Sequence, residues 1–372
     1  MPVHCHPVCG WSAIEERDGC PSFLACVPHN QTMDVAQLTR SLVDIESTSE
    51  YEGDVGEYLF AYLSRVAAGT EGRVERMDVV RLEGVRRRFN VLAHWGEPIV
   101  TLSTHMDTVP PFFPSREDAD YIYGRGSCDA KGIIAAMIAA AERLLTNGIR
   151  NFGLLFVVGE ERSSAGAATA SRSPRGSRYL VNGEPTENKL ALASKGALRL
   201  EVNAKGRMAH SAYPELGESA INALLDSLEA IRRVPLPSDP LLGPSTLNIG
   251  TLSGGRAPNV ISDAAKAEIL VRLVGDPGPL RTAFAAAGNG RVDIKEVLCI
   301  PAMKMERVEG LPTCVVSFTT DIPVFDGTWG KPLLIGPGSI HVAHTPDEKI
   351  SKRELNEAIG IYADIVKKLL AA

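Results

Sequence analysis

Residues 152–161, FGLLFVVGEE, are the stretch that decides the fold. Residues 152–158 carry no polar side chain, and a continuous apolar run is typical of a central strand that is covered on both faces. The run ends at two adjacent acids, Glu160 and Glu161. Two like charges at the end of a buried strand repel each other unless a cation or a proton offsets them. The stretch therefore predicts an α/β fold with a site at the edge of its sheet.

Helical and strand patterns alternate on both sides of this strand. A helical stripe begins after Met33, with Val35, Leu38, Leu42 and Ile45 on one face. The other patterns are helices near 55–68, 133–145 and 352–370 and strands near 74–82, 88–95, 98–104, 314–318 and 332–335. This alternation predicts an α/β domain.

The pattern changes between residues 196 and 302. Strands are predicted near 198–202, 246–251, 264–273 and 292–298, with helices near 218–232 and 279–287. The order βαββαβ is that of a ferredoxin-like sandwich. We therefore expect a catalytic domain formed by 33–195 and 303–372, with 196–302 inserted as a lid and dimerisation domain. Hinges near 194–196 and 302–304 would let the inserted domain close over a substrate.

The N-terminal segment, residues 1–32, differs from the rest of the chain. It holds four of the seven cysteines, Cys5, Cys9, Cys20 and Cys26. A metal finger with the neighbouring histidines is conceivable, but no second pair of ligands has matching spacing. We expect a poorly ordered extension, and no disulfide framework.

Composition excludes several functional classes. A chain of 372 residues is long enough for two domains, and its net charge of −6 argues against a nucleic-acid partner. No apolar run has the length of a membrane span, and the N-terminus lacks a secretory pattern. We expect a cytoplasmic protein with no nucleic-acid and no membrane partner.

Five residues at or just after strand-like runs are candidate metal ligands. They are His105, Asp129, Glu161, Glu184 and His344. Taken singly, each has an ordinary structural alternative, such as a helix cap for the aspartate or a solvated turn for the second glutamate. The carboxyl edge of a parallel sheet would gather them, which favours a two-metal hydrolase centre. Asp107 lies two residues after His105, on the same face of an extended segment, and can orient its imidazole.

Six segments together resemble a known family. They are STHMDTVP (103–110), YGRGSCDAKG (123–132), GEERSSAGA (159–167), NGEPT (182–186), KGRMAHSAYP (205–214) and IGPGSIHVAHTPDE (335–348). In order and local context they resemble the dinuclear zinc aminoacylase and carboxypeptidase family, which includes acetylornithine deacetylases, succinyl-diaminopimelate desuccinylases and glutamate carboxypeptidases. The resemblance covers the chain from Met33 onward. GPGSI followed by AHTPDE looks most like acetylornithine deacetylases.

The resemblance implies a fold and a ligand arrangement. The fold would be a zinc-aminopeptidase-like catalytic domain with a central mixed sheet flanked by helices, plus the inserted ferredoxin-like domain. Asp129 would bridge two divalent metal ions, Zn²⁺ or alternatively Co²⁺. His105 and Glu184 would complete one site, and Glu161 and His344 the other. Oxygen and imidazole ligands suit Zn²⁺.

Catalytic roles follow from the same resemblance. The metals would activate a water, and Glu160 would be the general base that takes its proton and passes it to the departing amine. Asp107 would orient His105. His210 would donate to the oxyanion, and in dimeric members of the family this residue comes from the neighbouring subunit.

Further residues would contact the substrate. Asn259 and Arg272 match positions that help to bind the substrate carboxylate, although either could be structural. Gly338 and Ser339 would place backbone donors beside the substrate. The family also has a cis peptide after the bridging aspartate, here Asp129-Ala130.

The predicted function is hydrolysis of a small N-acyl amino acid, with removal of an acetyl group from a substrate such as N-acetylornithine. The predicted enzyme is a homodimer joined through the inserted domain. The alternatives are a succinyl-diaminopimelate desuccinylase or a dipeptidase or carboxypeptidase of the same family. A non-catalytic binding or scaffold protein is the remote alternative. An ornithine substrate would favour an acid near its distal amine, and Asp321 and Asp326 lie in a suitable segment.

Overall fold

The computed structural model describes residues 34–79 and 87–372. The expectation for residues 1–32 lies outside the described residues. The helices are α1 (Val35–Val43), α2 (Gly53–Ala68), α3 (Lys131–Thr146), α4 (Ala165–Ser171), α5 (Ala220–Arg232), α6 (Pro277–Gly288), α7 (Ile322–Phe325) and α8 (Lys352–Leu370). Within these two ranges, no helix is both long and apolar enough to cross a bilayer.

The strands follow in chain order. They are β1 (Arg73–Asp78), β2 (Phe89–Trp95), β3 (Val100–His105), β4 (Arg116–Glu117), β5 (Tyr121–Tyr123), β6 (Phe152–Val157), β7 (Tyr179–Asn182), β8 (Leu190–Ser194), β9 (Gly196–Lys205), β10 (Ser238–Asp239), β11 (Gly243–Pro244), β12 (Thr246–Gly254), β13 (Ala264–Leu273), β14 (Val292–Ile300), β15 (Met303–Lys304), β16 (Thr313–Val316), β17 (Lys331–Leu334) and β18 (Lys349–Ser351).

A mixed sheet forms the centre of the fold. Its order is β1-β2-β6-β3-β7-β17-β8-β15, with β16 beside β8. β3 is parallel to both β6 and β7, and β7 is parallel to β17. The carboxyl ends of these strands therefore meet at one edge of the sheet, where ligands bind in open α/β sheets.

The apolar run of β6 is buried on both faces of this sheet, as predicted. Leu154 and Phe156 belong to the core on the side of α3, a helix whose apolar residues are almost all buried. Leu155 and Val157 belong to a second core with Phe325 and Trp329. Successive residues of a strand point to opposite faces, so only a continuously apolar segment fits a position between two layers. The α/β fold with a mixed, helix-flanked sheet is thus confirmed.

A second sheet of four antiparallel strands has the order β12-β13-β9-β14. This is the order expected of a βαββαβ sandwich. β13 alternates between buried and less buried positions, which indicates one face against a core. That core contains Leu200 and Ile269 from the sheet and Leu228 and Phe284 from α5 and α6.

Candidate metal centre

Three neighbouring parallel strands and two loops carry the predicted ligands. His105 is the last residue of β3, Glu160 and Glu161 follow β6, and Glu184 follows β7. Asp129 lies two residues before the start of α3, and His344 lies between β17 and β18. The Asp129-Ala130 peptide is cis, as expected.

Asp129 lies between the two histidines. Nε2 of His105 is 2.9 Å from its Oδ1, and Nε2 of His344 is 3.3 Å from its Oδ2. His344 is also 2.9 Å from Oε1 of Glu161. Ligand atoms of His105, Asp129 and Glu161 all lie within 4.8 Å of one another. One carboxylate that presents a different oxygen to each imidazole fits a bridge between two cations.

Glu184 supplies an independent test of whether a cation fits. Its side chain is buried, and Oε1 has no hydrogen-bond partner among the residues that the structure describes. A buried carboxylate oxygen without a donor costs free energy unless a cation compensates it. The oxygen-rich donor set with two imidazoles is one that Zn²⁺ accepts. The residues therefore fit a divalent metal.

The charges of the centre are strongly perturbed. Burial raises the pKa of Glu160 and of Glu184 well above the usual range of a carboxyl. Burial would also raise the pKa of Asp129, but hydrogen bonds with His105 and His344 outweigh it and hold that pKa below its usual value. Hydrogen bonds with Asp129 and with the neighbouring glutamate raise the pKa of His344 to about 10. These shifts have one physical cause, since several carboxyls and two imidazoles lie close together and each favours a proton or a cation beside the carboxyls.

Asp107 contacts the backbone of both Glu160 and Glu161 and the imidazole of His105. Its Oδ1 accepts the backbone N–H of Glu160 at 3.0 Å, and its Oδ2 accepts that of Glu161 at 3.2 Å and the hydroxyl of Ser49 at 2.7 Å. Nδ1 of His105 is 3.0 Å from the backbone oxygen of Asp107 and 3.6 Å from its carboxylate. The imidazole is therefore oriented mainly by the backbone, a refinement of the expected carboxylate contact.

Glu348 is a residue of the centre that the sequence interpretation missed. Its Oε1 accepts the backbone N–H groups of Gly126, Cys128 and Asp129 at 2.9, 3.2 and 3.1 Å. Nη1 of Arg125 donates to Oε2 at 2.5 Å, and both side chains are buried. The carboxylate thereby fixes the loop that presents Asp129. The sequence signalled only that this acid is the last residue of the matched segment IGPGSIHVAHTPDE, and not what it contacts.

The predicted substrate-binding residues separate into two groups. Arg272 lines the cavity of the metal centre, and Ser339 lines a larger cavity that adjoins it. Gly338 lines neither cavity; its N–H donates to Oε2 of Glu354 at 2.8 Å. His210 and Asn259 are exposed neighbours, since the residue after the histidine donates its N–H to the Asn259 oxygen at 2.9 Å. Neither of them lines the cavities.

Asp321 and Asp326 do not provide the acid expected for a distal amine. Asp321 is 1% exposed, and burial raises its pKa to about 7. Asp326 is exposed. Neither aspartate lines either of the two cavities of the centre; they flank α7, one before it and one after it.

Two cavities meet at the centre. The smaller, about 180 Å³, is lined by Asp129, Glu160, Glu161, Glu184, Arg272, Phe318, Thr319, Ile340 and His344. The larger, about 370 Å³, shares Arg272, Phe318 and Ile340 with it. Arg272 forms no ion pair with any residue in 34–79 or 87–372. A cation that no described residue neutralises thus lies where the two cavities join.

Comparisons with known proteins agree on one family. Residues 101–368 match Peptidase family M20/M25/M40. A peptidase M20 domain-containing protein of Schizosaccharomyces pombe is 38% identical over 339 residues, 88% of this chain and 83% of the relative. A probable carboxypeptidase of Aspergillus oryzae is 36% identical over 375 residues, 89% of this chain and 86% of the relative.

Solved structures agree on the fold. A tripeptidase from Staphylococcus aureus superposes with a TM-score of 0.75 at 20% identity, covering 91% of this chain and 98% of its own. The matched region contains every candidate metal ligand. This chain therefore belongs to peptidase family M20/M25/M40, a family of metal-dependent hydrolases.

Proposed function

We propose that this protein is a two-metal peptidase of the carboxypeptidase or dipeptidase type, which hydrolyses the amide bond before a residue with a free carboxylate. The observation that carries the proposal is the guanidinium of Arg272, which lies beside the cluster of acids and histidines and has no ion-pair partner in the described part of the chain. A planar guanidinium binds a carboxylate through two parallel hydrogen bonds. The probable carboxypeptidase among the relatives supports the same substrate class.

In this proposal Asp129 would be shared by two divalent ions, Zn²⁺ or Co²⁺. His105 and Glu184 would help to hold one ion, and Glu161 and His344 the other. The bound ions would polarise the scissile carbonyl and lower the pKa of water. The buried oxygen of Glu184 that lacks a hydrogen-bond partner supports this assignment.

Glu160 acts as the general base. It lines the smaller cavity, and its backbone N–H is fixed by Asp107 at 3.0 Å. Its side chain forms no hydrogen bond to either histidine, so it is free to take a proton from the attacking water and to give it to the departing amine.

A homodimer through residues 196–302 completes the proposal. β12 is an edge strand whose residues are mostly exposed, and an edge of this kind pairs readily with a second copy. Met208, Tyr213 and Leu216 are exposed apolar residues near His210. Burying them at a subunit interface would bring His210 to the oxyanion of the partner's site.

N-acetylornithine is the less favoured substrate. Its distal amine would need a free acid in the larger cavity, whose acid Glu187 is already 2.6 Å from Lys189. A panel of dipeptides, their C-terminal amides, N-acetylornithine and N-succinyl-diaminopimelate, assayed with added Zn²⁺ or Co²⁺ and with a chelator, tests the choice. We expect metal-dependent cleavage of dipeptides and loss of cleavage on amidation. Equal rates for amides and free acids would contradict the role of Arg272.

The variant Glu160→Gln tests the base. We expect it to retain bound metal and to lose about three orders of magnitude in kcat, because the base and the proton shuttle disappear together. Metal content by elemental analysis separates this result from loss of the site. Near-normal turnover with full metal would refute the assigned role.

A further inference from the structure

We propose that the larger cavity binds an apolar side chain of the leaving residue, the residue that carries the free carboxylate. The inference rests on the proposed function and names its substrate class: peptides or N-acyl amino acids that end in a residue such as leucine or phenylalanine. Neither the family match nor the names of the relatives assign a side-chain preference to this chain.

The inner wall of the cavity is apolar. Val315, Val316, Phe318 and Ile340 line it, and Val316 is only 7% exposed. A volume of about 370 Å³ lies in the range of ligand-binding pockets. When an apolar side chain enters the cavity, the apolar surfaces of both the side chain and the cavity wall are removed from water, which favours binding.

The charged groups of the same cavity already have partners or tasks. Nζ of Lys189 is 2.6 Å from Oε2 of Glu187, and the hydroxyl of Ser339 donates to Oε1 of Glu187 at 3.2 Å. Arg272 is committed to the substrate carboxylate in the proposed function. A lysine side chain of a substrate would therefore meet no free carboxylate among the described residues that line the cavity. An aspartate side chain would meet, besides these groups, only the exposed imidazole of His341, so burying either charge would cost free energy.

The position of Arg272 indicates which half of the substrate lies next to the larger cavity. It lines both cavities, whereas Glu160 and four of the five candidate metal ligands (Asp129, Glu161, Glu184 and His344) line only the smaller one. When the scissile carbonyl lies among the ligands and the carboxylate binds Arg272, the side chain on the carboxylate-bearing carbon is the group next to the larger cavity. The acyl half lies on the other side of the scissile bond.

Two crossed substrate series test this placement with the zinc-loaded full chain. In the first, an N-terminal alanine is constant and the leaving residue is leucine, phenylalanine, alanine, aspartate or lysine. In the second, the leaving residue is leucine and the N-terminal residue varies in the same way. We expect kcat/KM in the first series to favour leucine and phenylalanine over aspartate and lysine by roughly 10- to 100-fold, with a weaker dependence in the second.

The outcomes separate the inference from the function on which it rests. Cleavage of every leaving residue at similar rates, or selectivity that follows only the N-terminal residue, overturns the inference and leaves the peptidase proposal intact. Absence of metal-dependent cleavage across both series overturns the peptidase proposal and the inference with it.

Variants of the cavity wall give a second test. Val315→Asp places a charge on a wall residue that is 37% exposed, and Val297→Asp is the matched control on β14, at a valine that is 45% exposed and lines neither cavity. We expect Val315→Asp to lower kcat/KM for a leucine leaving residue about 10-fold and to improve lysine relative to leucine. The control should keep the selectivity of the parent chain.

A second wall variant covers the case in which Val315→Asp does not fold. Ser317→Asp replaces an exposed polar residue of the same wall. It should shift selectivity toward lysine in the same direction, with circular dichroism and thermal melting used to check folding. Unchanged selectivity in a folded Ser317→Asp or Val315→Asp protein overturns the placement.

Discussion

At the scale of single residues, the centre combines groups whose protonation depends on one another. Asp129 is held below its usual pKa by two imidazoles, while the pKa values of Glu160 and Glu184 are raised by burial. Four carboxylates and two histidines this close together are stable without metal only if several of them keep a proton. A divalent ion replaces those protons, so metal binding and proton release are coupled.

This coupling predicts that Zn²⁺ affinity rises with pH. The pKa of His344 is raised to about 10 in the metal-free protein, so below that pH its imidazole holds a proton that the metal must displace. Affinity should therefore increase across about pH 6 to 8, by roughly tenfold per pH unit for each proton released. Titration calorimetry in buffers of different ionisation enthalpy counts the protons. An affinity that stays constant over this range, with no proton released, would contradict the assignment of His344 as a ligand.

At the scale of elements, local patterns predicted some segments well and others not at all. β13 and α8 have the predicted bounds, because β13 alternates strictly and α8 is preceded by the capping residue Ser351, whose side chain accepts the N–H of Glu354. α4 was missed, because its sequence AGAATAS has no apolar period and the residue before it, Ser164, has a left-handed conformation. β8 was missed too, since its five residues are stabilised by strands distant in sequence.

In the site, too, features set by local sequence could be predicted, whereas features set by contacts between distant residues could not. The ligands could be placed by the resemblance of short segments, whereas the contact of Glu348 with Asp129 joins residues 219 positions apart. No local pattern reveals such a contact. It depends on how the loop after β17 returns to the N-terminus of α3.

Glu348→Gln tests that link between elements. We expect Zn²⁺ affinity to fall about 10- to 100-fold, because the loop that presents Asp129 loses a charged acceptor of three N–H groups. The buried Arg125 also loses its counter-charge, so the free energy of unfolding should fall by about 3 kcal/mol or more. Competition with a chromophoric chelator and denaturant titration measure the two effects. Glu357→Gln, at an exposed acid of α8, is the control. An unchanged Zn²⁺ affinity in folded Glu348→Gln would contradict the proposed role of Glu348 in fixing the loop that presents Asp129.

At the scale of the whole molecule, the question is how His210 can serve a site whose cavities it does not line. The proposed dimer answers it, because a second copy can supply the histidine when two four-stranded sheets pair. In a two-fold dimer each subunit then contributes to the site of the other. The base and the oxyanion donor of one active site would come from different chains.

Mixing two inactive variants tests this arrangement. Glu160→Gln and His210→Ala should each lose most turnover alone, whereas a heterodimer contains one site with both Glu160 and His210 intact. Equal amounts exchanged at random should recover about a quarter of the parental activity, since half of the dimers are mixed and each has one working site. Activity measured before and after subunit exchange, with light scattering to establish the mass, gives the result. If His210 acted within its own chain, every subunit in the mixture would lack either Glu160 or His210, and no site would work. No recovery of activity from demonstrably mixed dimers would therefore contradict a role of His210 in the partner's site.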